Sequence, residues 1–140
     1  PAALGPTVPL PRAGESARGA RLALTLWEPS GGLVIADRRR IDLLLLCAPA
    51  LADALAEDAL APLASAPPAT RVRLIETLTA WLETQGAPRP TADRLEVHTQ
   101  TVRYRVAQLR RLLGDRIDSA EGRLELELAL RARRLRRRRV

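Results

Sequence analysis

Residues 99–113, "TQTVRYRVAQLRRLL", place Val102, Val106, Leu109 and Leu113 at successive steps of four, three and four. At roughly 100° per residue these four side chains fall within about a 60° arc, the spacing of an amphipathic α-helix. Gly114 follows directly and marks its end. The opposite side carries Gln100, Arg103, Tyr104, Ala107, Gln108 and Arg111. Such a helix buries one stripe and offers the other.

The flanking segments constrain what this helix packs against. Pro67 and Pro68 precede Thr70, a suitable N-cap, and Val72, Ile75, Leu78, Thr79 and Leu82 recur at helical spacing. Gly86 stands where a C′ glycine belongs. "APRPTADRLEVH" is too short for a long helix. Pro90 suits a first helical position, which leaves Thr91 to Leu95 or Glu96 as two turns at most, followed by a tight turn at Glu96–His98. In "DSAEGRLELELALRARRL" the alternating Leu124, Leu126, Leu128 and Leu130 have the period of a strand. The segment nevertheless contains no β-branched residue and is built from Leu, Glu, Ala and Arg, strong helix formers. Asp118 and Glu121 have capping-box spacing, and Glu127 with Arg131 forms a favourable i,i+4 pair. A helix buried on a broad face is expected. Residues 70–136 thus read as four helices with a short helix, tight turn and longer helix at their centre, a helix-turn-helix.

The first half reads as an α-rich fragment. "PAALGPTVPLPRAG" has the Pro/Gly density of a loop, residues 15–27 form an amphipathic helix, "EPSGG" is a turn, and "LVIA" suits one short strand. "IDLLLLCAPALADALAEDALAPL" reads as one or two buried helical pieces broken at Pro49 and closed at Pro62, and the chain divides near "SAPPAT", residues 65–70. The expected fold class is mainly α: a four-helix C-terminal domain over 70–136, an upstream fragment over 1–69, and a basic tail over 137–140. The chain does not begin with Met, as expected of a fragment or a processed product. The run Leu43 to Ala52 is far short of the roughly 20 apolar residues a membrane helix needs, and no secretory signal opens the chain. The lone Cys47 lies in an apolar run and reads as a small core residue. The cytoplasm is the expected compartment.

Charge is distributed unevenly. Residues 1–69 carry six arginines and seven acids, a net of −1, whereas residues 70–140 carry seventeen arginines and nine acids, a net of +8. Every basic side chain other than His98 is arginine, as a GC-rich genome would also favour. A basic excess confined to one half points to a polyanion partner. The stretch "VHTQTVRYR", residues 97–105, concentrates the chemistry. His98 suits both a cap of the longer helix and a polar contact. Thr99 and Thr101 offer hydroxyls at a helix N-terminus, where backbone N–H groups favour phosphate. Gln100 matches adenine and Arg103 matches guanine in bidentate fashion. Tyr104 and Arg105 reach backbone or stack, and the small Ala107 lets the helix sit deep in a groove.

The pattern VH…T.RYR, with Val97, His98, Thr101, Arg103, Tyr104 and Arg105, followed by "LRRLLG" and "RLELELALRARRL", resembles the C-terminal DNA-binding domain of PucR/CdaR-type bacterial transcriptional regulators, a helix-turn-helix related to that of the nucleoid protein Fis. The resemblance covers about residues 70–136. More weakly, "GPTVPL" and the "LLLL" run look like the tail of the GGDEF-like or linker region that precedes this domain in the family. It implies double-stranded DNA as partner, homodimeric binding near promoters, and effector-dependent regulation, with the effector held by a domain absent from these residues. Three departures stand out: Thr99-Gln100 replaces a usual Arg-Asn, "APRP" replaces an Asn-Val-Ser-Ala-Ala-like helix start and is expected to shorten or displace the short helix, and Glu96 sets an acid beside the presumed phosphate surface.

Other classes fit less well. The sequence has no Gly-rich phosphate loop and no partner for His98 in a catalytic triad or a metal site, so neither an enzyme nor a cofactor or metal is expected. Two alternatives to a sequence-specific regulator stay open: a helical protein-interaction module without operator preference, and a non-specific nucleic-acid binder acting through "RARRLRRRRV", which reads as a disordered basic end.

Overall fold

Seven α-helices and one two-stranded sheet account for most of the residues described by the computed structural model, 1–29 and 31–139. Ser30 of the "EPSGG" turn and Val140 of the basic tail lie outside the described residues. In order, the elements are β1 (Ala2–Leu4), α1 (Ala13–Leu24), β2 (Leu33–Ile35), α2 (Arg40–Cys47), α3 (Pro49–Leu60), α4 (Pro68–Glu83), α5 (Pro88–Leu95), α6 (Thr99–Leu113) and α7 (Ala120–Arg139). The mainly α class expected from the sequence is what the chain adopts.

The chain forms two compact units, Pro1–Ala52 and Asp53–Val140. The division falls inside α3 rather than at the proline-rich 65–70 stretch, because Ala59 and Leu63, upstream of that stretch, share one core with Leu74, Leu78, Val106 and Leu126. In the first unit β2 forms where "LVIA" suggests a strand. Its partner lies within the presumed N-terminal loop: β1 and β2 pair in parallel, Ala2 opposite Leu33 and Leu4 opposite Ile35. Burial here rests on Ala23, Leu26, Ala36 and Ala52, with Asp42 buried and accepting a hydrogen bond from Arg39 Nε at 2.8 Å.

The expectation of buried helices around "LLLL" is corrected. Four consecutive residues sweep most of a helix circumference, so Leu43 to Leu46 cannot all face one core. Leu44 is 69% exposed, its three leucine neighbours are half-buried, and Cys47 is exposed rather than a core residue.

The second unit is organised by α6. Val102, Val106, Leu109 and Leu113 are all buried, as their spacing requires, and they meet Leu74, Leu78, Trp81 and Leu82 of α4 and Leu126 and Ala129 of α7. Helix α4 begins at Pro68, with no side-chain cap from Thr70. It buries Leu74, Thr77, Leu78 and Trp81 rather than a stripe through Val72, which is 51% exposed. Thr77 tolerates burial because its hydroxyl donates to Arg73 O at 2.7 Å. At the end of α4 both Gln85 and Gly86 adopt positive φ, and Gly86 N donates to Trp81 O at 2.8 Å, a Schellman-type closure.

Helix α7 is a helix, as composition argued against period, but its burial is narrower than expected. Leu126, Ala129, Ala132 and Leu135 face inward, whereas Leu124 is exposed. Its cap is Ser119, whose Oγ accepts from Gly122 N at 3.1 Å, and not Asp118. Gly122 is required by close packing: a Cβ there would lie 2.4 Å from the Arg116 backbone. The basic end is not disordered through Arg139. Leu135 is buried, and Arg136 Nη1 reaches Glu57 Oε1 at 2.6 Å, so the chain stays helical.

Candidate nucleic-acid interface

The geometry of α5, the turn and α6 follows from local chemistry. Pro88 and Pro90 occupy the first and third positions of α5, where helix N–H groups lack intrahelical partners in any case. The prolines are therefore accommodated within the first turn, and the helix runs eight residues, starting two residues before the position expected for it. A half-buried hydroxyl pair, Thr84 Oγ1 to Thr91 Oγ1 at 2.6 Å, ties it to the end of α4, as does the ion pair of Arg94 Nη2 with Glu83 Oε2 at 2.7 Å. Glu96 then adopts the left-handed conformation, φ 52°, and Val97 N donates to Ala92 O at 3.1 Å to close α5. A non-glycine residue in this region costs about 1–2 kcal/mol.

His98 starts α6. Its backbone is extended and its Nδ1 accepts from Gln100 N at 3.2 Å. Capping through Nδ1 places the ring proton on Nε2, which remains an available donor. The same contact uses the Gln100 N–H, and Thr101 N donates to His98 O at 2.9 Å. Among the first three N–H groups of α6, that of Thr99 alone has no acceptor among the described residues, so the anion-binding capacity of this helix end is smaller than an uncapped terminus would have.

The candidate residues divide into two groups. His98, Gln100, Arg103 and Tyr104 are exposed on the first two turns, with Ala107 and Arg111 continuing the face. Tyr104, 63% exposed, accepts a hydrogen bond from Gln108 Nε2 at 3.4 Å. Thr99 and Thr101 are half-buried. Arg105 is turned away from this face: it is half-buried, and its Nη1 donates to Thr77 Oγ1 on α4 at 3.4 Å. The structure thus brings four of the seven candidates together on an open surface and gives Arg105 a contact inside the bundle.

Arg89 is exposed in the first turn of α5, between the two prolines. Farther along, Arg110 and Asp118 form a two-bonded ion pair at 2.8 and 2.9 Å that joins the end of α6 to the start of α7. The hydrogen bond from Arg110 holds the Asp118 carboxyl below its ordinary value and raises Arg110 in turn. Among the described residues no three potential metal ligands cluster, and no helix is long and apolar enough to cross a membrane.

Comparison with known proteins matches this region. Residues 74–132 match the family described as the PucR C-terminal helix-turn-helix domain. The purine catabolism regulatory protein of Bacillus subtilis (strain 168) is 44% identical over 62 residues, covering 44% of this chain and 12% of that protein. Uncharacterized proteins of Mycobacterium tuberculosis and Mycobacterium bovis are 33% identical over 118 residues, covering 81% of this chain and 28% of theirs. The chain therefore spans well under two thirds of the length of these relatives. No solved structure matches it.

Proposed function

We propose that this chain, whose residues 74–132 match the PucR C-terminal helix-turn-helix domain, is the DNA-binding part of a transcription regulator and binds double-stranded DNA sequence-specifically through α6 in the major groove. The observation that carries the reading is the two-sided character of α6. Its buried stripe fixes the helix in the bundle, while Gln100, Arg103 and Tyr104 stand exposed on its first two turns, where helix-turn-helix proteins contact base edges.

The roles follow from donor and acceptor geometry. Arg103 pairs with guanine O6 and N7, and Gln100 with adenine N6 and N7. His98 Nε2–H, the Thr99 N–H and hydroxyl, and the Thr101 hydroxyl contact phosphate or base edges at the entry of the helix. Tyr104 reaches the backbone. Arg105 positions α6 against α4 through Thr77, and touches DNA only by leaving that contact. The chain acts as a homodimer on two half-sites about one helical turn, roughly 34–36 Å, apart. Glu96 lowers phosphate affinity and makes base contacts a larger share of binding.

Fluorescence anisotropy tests the reading. The chain is titrated with duplex from the region upstream of its own gene and with a scrambled duplex, each across a salt series. The expected result is a preference of about 10³-fold or more at physiological salt. Equal, steeply salt-dependent binding to both duplexes would assign the affinity to the arginines alone. Dimerisation without binding to either would favour a protein-interaction module.

A further inference from the structure

Apart from the helix-turn-helix face, the second unit contains a cleft of about 440 Å³ between α3, the 3₁₀ turn that follows it, α4 and α7. That volume lies within the roughly 300–1,000 Å³ typical of small-molecule sites. No residue of α5 or α6 lines it. Its apolar wall includes Leu60, Ala64 and Ile75, and its polar wall is four arginines, Arg71, Arg133, Arg136 and Arg137, against one acid, Glu57.

The charges are not balanced from within. Glu57 is committed to Arg136, with Oε1 and Nη1 2.6 Å apart, and Asp53 also acts on Arg136. Arg71 is held by backbone: Nη2 donates to Ala64 O at 2.8 Å and to Ala66 O at 3.3 Å, and its Nε is buried with no acceptor among the described residues. Carbonyl oxygens satisfy hydrogen bonds without cancelling the charge. Arg133 is half-buried beside Arg137, and burial together with that neighbour holds its guanidinium below the ordinary arginine value. Like charges converging on a partly desolvated apolar wall oppose folding unless a counter-charge arrives.

We propose that this cleft is a binding site for a small organic anion, a single carboxylate or phosphate group carried on a short apolar body. The anionic head lies between Arg133 and Arg137 with Arg71 below it, where planar guanidinium groups offer paired N–H donors. The apolar body covers Leu60 and Ile75. Helix α4 forms one wall of the cleft and also packs against α6, so ligand binding bears on the same core that holds the recognition helix. The inference does not depend on α6 reading DNA.

The test uses the full chain with ¹³C-labelled isoleucine methyl groups, titrated with hexanoate, hexyl phosphate, hexanol and inorganic phosphate. The Ile75 methyl signal is expected to shift saturably with hexanoate or hexyl phosphate, and the tighter of the two identifies the head group. Hexanol and inorganic phosphate should each need at least about tenfold more ligand, since each lacks half of the recognised chemistry. The double variant Arg133→Gln/Arg137→Gln should weaken the preferred anion by at least about tenfold, and Arg103→Ala should leave it unchanged. Equal titrations with hexanoate and hexanol would reduce the cleft to an apolar dent. An unchanged affinity in the double variant would overturn the proposal, as would saturation by inorganic phosphate at the hexanoate concentration. Displacement of hexanoate by scrambled duplex DNA, with weaker duplex binding by the double variant, would make the arginines a phosphate track and equally overturn it.

Discussion

The two compact units of this chain contain similar amino acids arranged by different rules. In Pro1–Ala52 the most apolar stretch, "LLLL", has no period, and the side chains that disappear from solvent are chiefly alanines with Leu26 and the ion-paired Asp42. In Asp53–Val140 the leucines and valines recur at helical spacing, and eight large aliphatic side chains, Leu63, Leu74, Leu78, Val102, Val106, Leu109, Ile117 and Leu126, are fully enclosed. Hydrophobic content alone does not build a core. A stripe does, because it lets one helix lose its water against several partners while its other face stays free for function.

The sharpest way to break this comparison is a pair of matched truncations. Leu109→Ala removes a fully buried side chain at the centre of the second core and should cost about 2–5 kcal/mol. Leu44→Ala, at a 69% exposed site in the first unit, should change stability by less than about 0.5 kcal/mol. Urea denaturation of both variants decides the matter, and comparable losses would mean that the leucine run is buried in solution.

A smaller effect is expected at the entry to α6. His98→Ala removes the side chain that accepts from Gln100 N and should cost about 0.5–2 kcal/mol. His98→Asn should restore most of that stability, since asparagine is a strong cap, without restoring the Nε2–H donor. If DNA affinity returns together with stability, His98 serves only as a cap.

Glu96 works in the opposite direction. Its left-handed backbone favours glycine or asparagine, so Glu96→Gly should raise thermal stability by the equivalent of about 1 kcal/mol and tighten duplex binding by removing an acid. A stability loss would show that the Glu96 side chain contributes more than its backbone costs.

The smallest effect concerns the pair between Arg110 and Asp118. The Asp118 carboxyl is held below its ordinary value in the folded chain, so its contribution is present above the unfolded value and lost as pH falls through the folded one. The pair is largely solvated, which limits it to about 0.2–1 kcal/mol. Asp118→Asn should lose that amount at neutral pH and show a flatter decline of stability on acidification below the ordinary carboxylate range. Parallel acid profiles for variant and parent would remove the pair from the account.

The difference between the units also explains which features were legible in the sequence. The limits of α6, its four buried residues and the short helix before it follow from local spacing, Gly114 and the prolines. The β1–β2 pairing joins residues about thirty apart over three rungs, with no alternation to announce it. In α7 the large leucines draw attention, yet the buried set is Leu126, Ala129, Ala132 and Leu135, which follows helical steps of three rather than the alternation of the leucines. The displaced stripe of α4 has a different cause: Thr77 reads as polar but satisfies its hydroxyl on its own helix and so can be buried. At the site, the exposed face of α6 was readable, whereas the inward turn of Arg105 depends on Thr77, twenty-eight residues earlier in the chain.

The central claim is that the outer face of α6 reads bases, and Arg103→Ala tests it most directly. Anisotropy titrations of this variant and the parent chain, on the preferred duplex and on its scrambled counterpart at one salt concentration, should show a loss of about 1–3 kcal/mol on the first and little on the second. Equal losses on both duplexes would contradict the account and leave Arg103 as a phosphate contact.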